Sequence, residues 1–141
     1  MRLLVCGGRT FGFPNRLVPR AQWDADTARV GRERTHLFRV LTAIHKRVGI
    51  AEIIHGAARG ADTLAGQWAR GHDVLETKFP VDHVQDGPWP GAGFYRNMRM
   101  CRESKPDLVL AFPGGNGTGH MVQVAKDRKI PAYEVPPSTK S

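Results

Sequence analysis

The chain is poor in cysteine and aromatics and has no long apolar run. Its 141 residues include two cysteines, Cys6 and Cys101, and neither lies in a CxxC pair. That weighs against a disulfide framework or a zinc ribbon and leaves buried free thiols as the expectation. No stretch approaches the ~18 consecutive apolar residues that span a bilayer, so no membrane partner is expected. The opening run, Met1 to Gly8, holds too short an apolar segment for a secretory leader, which makes a cytoplasmic location the default. Like charges never gather in a block of five, so a basic tail is not expected either. No histidine and acid spacing suits a metal, and no cofactor is called for.

What is present is a 40% apolar composition and a net charge of +8. The length suits one domain with a real core. The charge admits nucleic acid, a phosphorylated small molecule, or solubility alone.

Strand-like and helix-like patterns alternate along the chain. Apolar runs at 2–6, 51–55, 73–79 and 107–112 read as short strands, and 130–135 closes the set with Pro131 at an edge or strand start. Helical periodicity covers about 33–48, 61–70, 94–103 and 118–129. On the third of these helices Phe94, Met98 and Cys101 share one side. The alternation predicts an α/β fold, a parallel sheet covered on both faces. Residues 136–141 read as a frayed tail. Two connections are too long for plain turns, 80–93 and 10–32. The second carries Phe11, Phe13, Trp23 and four arginines, and reads either as a floppy basic insertion or as a lid.

Four glycine-rich clusters fall just after the C-terminal ends of four strands. They are Gly7-Gly8-Arg9-Thr10, Gly56 to Thr63, Gly91 to Asn97, and Pro113 to Thr118. Parallel sheets bind ligands on that edge. Gly114, Gly115, Asn116 and Gly117 precede a helix, where bare backbone amides suit a phosphate, and Thr118 suits an N-cap with a ligand contact compatible. Gly7 and Gly8 serve either a turn or close approach to a phosphate. Arg59 opposes the dipole of the helix it precedes, which favours an anion-binding role with Gly56 and Gly60 beside it. Asp62 suits a first-turn cap better than catalysis. Arg96 and Asn97 read as site or as ordinary helix surface. His120 is the histidine most expected near a ligand, whereas Trp68 and Trp89 suit packing.

These motifs, in this order, resemble the SLOG superfamily and within it the small stand-alone proteins of the YspA type found in bacteria and their phages. The resemblance rests on Leu4 to Phe11, Gly56 to Asp62, Glu76, Ala92-Gly93 with Arg96-Asn97-Met98, and Phe112 to Thr118. It implies a Rossmann-like sheet in the order 3-2-1-4-5. It also implies a pocket for nucleotides or nucleotide-derived ligands, and a homo-oligomer by analogy with dimeric relatives. Related nucleoside-monophosphate N-glycosidases carry a catalytic glutamate three residues after the Gly-Thr pair, with a partner arginine that corresponds to Arg96. That glutamate position is Met121 here. Ala57 stands where the small family usually has a second glycine, and Gly119-His120 replaces its usual Ala-Asp.

The expectation is therefore a binder of a phosphorylated nucleotide or of an ADP-ribose-like, NAD-related or cyclic nucleotide signal. Gly7, Gly8 and Arg9 face the 113–118 turn, Arg59 and Arg96 neutralise charge, and Asp62 or Glu76 holds a ribose hydroxyl or serves as a residual acid. A glycosidase using Asp62 or Glu76 is one alternative, since glycosidic cleavage needs a carboxylate. A single-stranded nucleic-acid binder, suited to the +8 charge, is the other.

Overall fold

The computed structural model describes residues 1–138. Of the expected frayed tail, 139–141 lie outside that range. Five parallel strands form one sheet in the order β3-β2-β1-β4-β5: β1 Arg2–Cys6, β2 Glu52–His55, β3 Leu75–Lys78, β4 Leu108–Ala111 and β5 Ala132–Glu134. The expected Rossmann-like α/β architecture and strand order are as observed.

The central strand explains the layering. Successive side chains of a strand point to opposite faces. Leu3 and Val5 enter one core with Ile53 and Leu110, while Leu4 and Cys6 enter the other with Ile54 and Val109. Both faces are therefore apolar and both must be covered. Helices α1 (Trp23–Val48) and α2 (Ala61–Gly71) cover the first face with Leu37, Leu41, Leu64 and Trp68. Helices α4 (Ala92–Ser104) and α5 (Asn116–Asp127) cover the second with Met100, Met121 and Val124. A short α3 (His83–Asp86) lies in the connection from β3. Strand order reverses between β1 and β4, so the loops that follow them diverge to opposite faces and leave a crevice. No helix among the described residues is long and apolar enough to cross a membrane.

Three expectations are corrected. Helix α1 begins at Trp23, ahead of the expected start near residue 33. Its first turns carry no apolar stripe because they pack against polar backbone instead of the sheet. Arg29 donates to the carbonyls of Thr10 and Phe13, Asp26 accepts the Asn15 amide, Glu33 accepts the Gly12 amide, and Arg34 donates to the Gly12 carbonyl. The stretch after β1 is thus tied down by α1, and Phe11 is buried at 3% exposure.

The second correction concerns 80–93, which is not wholly loop. Asp82 caps α3 by accepting the Val84 amide, and Asp86 reaches back to accept the Asp82 amide. The third concerns α4, where Phe94 and Met98 are exposed while Asn97 and Arg99 are buried beside Met100 and Cys101. Arg99 is buried because its guanidinium meets both Asp86 oxygens at 3.0 Å and also donates to the Pro80 carbonyl.

Candidate functional site

At the crevice, the loops after β1 and β4 are joined directly. The Gly8 amide donates to the Pro113 carbonyl at 2.9 Å. The Gly8 carbonyl in turn accepts the Ala61 and Phe11 amides, which ties in the start of α2. Gly60, at φ +100°, lies so close that a Cβ there would sit 2.0 Å from the Gly8 oxygen. Only glycine fits that approach.

Between these loops and α4 lies a cavity of about 360 Å³, a size common for small-molecule sites. Its wall takes Gly7, Gly8 and Arg9 from the first loop, Gly56, Ala58 and Asp62 from the second, and Gly115 to Thr118 from the fourth. Helix α4 adds Phe94, Arg96 and Asn97, and Cys6 and Met121 form part of the lining.

One end of the cavity is electropositive. Helix α5 begins after Gly115 with no side-chain cap and no acid in its first turn. Its first internal bond runs from the Gly119 amide to the Gly115 carbonyl, so the earlier amides have no helical acceptor. The partial positive charge of that terminus is therefore unanswered by protein. Thr118 is corrected from N-cap to the third helical position, since the helix starts earlier than 118. Its hydroxyl has no partner among the described residues. Arg9 is exposed at the rim and equally unpaired there.

The other feature is a buried carboxylate. Asp62 is 6% exposed, and its Oδ2 accepts the Gly56 amide at 3.0 Å and the Ala58 amide at 3.2 Å. Oδ1 has no protein donor among the described residues, leaving it for the cavity. Burial raises the Asp62 pKa, against the opposing pull of His55, the two amides and Arg96. Beside it, Arg96 donates to the Gly56 carbonyl at 2.6 Å and to Phe79, and its Nε donates to Asn97. Desolvation lowers the Arg96 pKa. Burial likewise pushes the Cys6 thiol well up, which keeps it protonated and inert. Met121 is 1% exposed and packs into the second core from the cavity wall. A thioether there moves no proton.

Several expected site residues stand elsewhere. Arg59 does not line the cavity; it donates to the Pro14 carbonyl and lies 5.0 Å over the Phe13 ring. Glu76 sits behind the sheet's first face, accepting from His55 at 2.7 Å and Arg70 at 2.5 Å. Burial alone would raise its pKa, but those two donors outweigh it and hold it low. Gly60 serves the loop junction, and Gly114 faces a second cleft. Asn97 lines the cavity while also clipping α4 to α5, through the Gly117 carbonyl and His120. His120 lies against Phe94 with ring centroids 4.5 Å apart, and burial lowers its pKa.

Sequence reasoning missed two features. The Asp86–Arg99 pair braces the loop carrying Pro90, and the Asp82/Asp86 spacing around a helix start was its signal. The other is His55, the last residue of β2. Its Nδ1 accepts the Ala57 amide, which leaves Nε2–H to donate to Glu76 and supports the turn above Asp62. Among the described residues no group of three or more histidines, cysteines or acids could hold a metal.

Residues 1–84 match the model of the YAcAr family, described as the YspA, cpYpsA-related SLOG family. The match takes in the first two strand-end loops and stops before α4. The Gene 61 protein of Mycobacterium phage D29 is 37% identical over 112 residues, which cover 74% of this chain and 87% of that protein.

Proposed function

The chain belongs to the YspA, cpYpsA-related SLOG family, and from that premise we propose that the cavity between β1 and β4 binds a phosphorylated nucleotide or nucleotide-derived ligand. One observation carries the reading. An uncapped helix N-terminus and a buried carboxylate with one free oxygen face the same 360 Å³ cavity. A nucleotide presents the complementary pair, a phosphate for the amides and Thr118, and a ribose hydroxyl for Asp62. Arg9 and Arg96 balance the charge, and the exposed ring of Phe94 is the apolar surface for a base.

A second reading, an N-glycosidase, is favoured by Asp62 alone, whose raised pKa suits a general acid. Glu76 is unsuited to that role because His55 and Arg70 already occupy it. Nucleic acid fits less well, since Arg29, Arg34 and Arg59 are spent on the chain's own carbonyls and on Phe13.

Thermal stabilisation by nucleoside monophosphates and ADP-ribose tests the proposal, with mass spectrometry for released base. Thr118→Val should lose most of the ligand-induced shift while keeping the unliganded melting temperature. A full shift in Thr118→Val and Asp62→Asn, with any ligand that stabilises the wild type, would falsify it.

A further inference from the structure

The outer face of α1 carries a repeat that the fold does not use. Leu37 and Leu41 turn inward to the first core, and both are wholly buried. On the outer side Arg32, Arg39 and Lys46 recur at every seventh position, with Thr35 and Thr42 between them. Seven residues make about two helical turns, so the three cations stand in a row roughly 10.5 Å apart. All three are exposed, and none takes part in an ion pair among the described residues. From Arg34 to Ala51 the chain has no aspartate or glutamate, so the C-terminal half of the helix offers nothing to offset them. An ordinary solvated helix face mixes the two signs, because opposite charges one turn apart stabilise it.

The surface between the cations is hollow. Thr35, Phe38, Arg39, Thr42, Ala43 and Lys46 line a shallow groove of about 500 Å³. Its floor is low because threonine and alanine stand there, and Thr42 accepts the Trp68 indole N–H at 3.0 Å. Phe38 is partly buried against the first core and gives the groove an apolar wall. None of these residues lines the crevice or the cleft beside it.

We propose that this groove docks an acidic amphipathic helix of a partner protein. A helix laid along α1 repeats at the same distance, so acids at every seventh position meet Arg32, Arg39 and Lys46 in register. The threonines and Ala43 let it approach closely, and an apolar side chain beside the acids covers Phe38. A second copy of this chain is a poor occupant, since α1 against α1 sets cation against cation. Duplex nucleic acid also fits less well. Its phosphates recur at about 3.4 Å of axis per strand and make no use of the hollow or of Phe38.

Fluorescence anisotropy on the full chain tests this with two labelled helical peptides of one composition. The first carries glutamate at every seventh position with leucine beside it, and the second has the same residues shuffled. The heptad peptide should bind about tenfold more tightly than the shuffled one, the yield of three exposed ion pairs held in register. Its affinity should fall as salt rises. Arg39→Glu combined with Lys46→Glu should abolish the difference between the peptides. Ala43→Trp fills the hollow and removes no charge, so it should weaken the heptad peptide where general attraction to a basic surface would not. All three positions are exposed, so both variants should keep the wild-type melting temperature and nucleotide-induced shift. The proposal fails if the two peptides bind the wild type alike, or if either variant binds the heptad peptide as the wild type does. A duplex DNA fragment that binds more tightly than the heptad peptide, and loses that affinity in the double variant, would assign the face to nucleic acid and overturn the proposal.

Discussion

Gly114 lies so close to Gly8 that a Cβ on Gly114 would stand 2.7 Å from the Gly8 nitrogen. The two loops at the crossover are therefore in backbone contact, with no room for side chains between them. Gly114→Ala should cost about 2 kcal/mol, because the contact is backbone on backbone and Thr118 closes the other side. Gly115 has open space at the same position, so Gly115→Ala should change stability by less than about 0.5 kcal/mol. Urea denaturation of the pair checks this. Equal losses would mean that the loops are not in contact in solution.

Asp62→Asn separates stability from function. The folded pKa of Asp62 is raised by burial, so the native state holds its proton more tightly than the unfolded chain. Stability from this group is greatest at low pH and falls as pH rises through the window between the two pKa values. Above that window the ionised carboxylate is therefore a cost. Asparagine keeps an oxygen for the Gly56 and Ala58 amides, so the variant should melt at or above the wild-type temperature. It should nonetheless bind nucleotide more weakly, and lose the pH dependence that Asp62 gives to binding. Melting curves and titrations carried upward in pH from the ordinary carboxylate pKa provide the check.

The Asp86–Arg99 pair predicts the opposite pH behaviour. Arg99's hydrogen bonds hold the Asp86 pKa down despite burial. Its contribution is present above the ordinary carboxylate pKa and disappears as pH falls through the depressed folded value. Asp86→Asn leaves a buried guanidinium without its counter-charge and should cost about 3 kcal/mol at neutral pH. Its stability should also fall less than the wild type's on acidification from pH 5 to 3, a window about the ordinary carboxylate pKa. A parallel decline in the two proteins would dismiss the pair as a stabilising element.

Ala57 occupies the left-handed region at φ +58°, where a Cβ costs about 1–2 kcal/mol. Glycine would relieve that strain but add about 0.5–1 kcal/mol of unfolded-chain entropy. Ala57→Gly should therefore stabilise by about 0.5 kcal/mol. A lower melting temperature would show that the strained turn is held by more than its bonds to His55 and Asp62.

Arg59→Ala should leave the nucleotide-induced shift unchanged, since Arg59 reaches Pro14 and Phe13 and not the cavity. A stability loss of about 0.5–1 kcal/mol is expected from the lost cation–π contact. If the variant instead loses its ligand response, Arg59 swings into the site on binding.

The sheet and its loaded edge were legible in the sequence because both depend on local signals. Leu3 to Cys6 and Leu108 to Ala111 are apolar on both faces, which reads as a doubly covered strand, and glycines mark where each ends. Arg59, Glu76 and the start of α1 were not legible, for a shared reason. Each is settled by a partner distant in sequence: Phe13 for Arg59, His55 for Glu76, and the Thr10–Asn15 backbone for the first turns of α1. A charged stretch such as 24–34 shows no periodic face when its partners are carbonyls and amides. Asp62 was readable as a first-turn acid, but its burial and its free oxygen depend on how the 56–60 loop folds over it.

Those first turns of α1 have a consequence for how such a chain tolerates length change. Arg29, Glu33 and Asp26 tie four backbone groups between Thr10 and Asn15, and for three of them, the Gly12 and Asn15 amides and the Phe13 carbonyl, no other partner stands among the described residues. The stretch and the helix turns are one module, viable together or absent together. Trimming either part alone would leave buried carbonyls facing nothing, or a row of charges with no counterpart. A homologue with a shorter crossover should therefore lack both parts at once, and with them the second cleft, which both line.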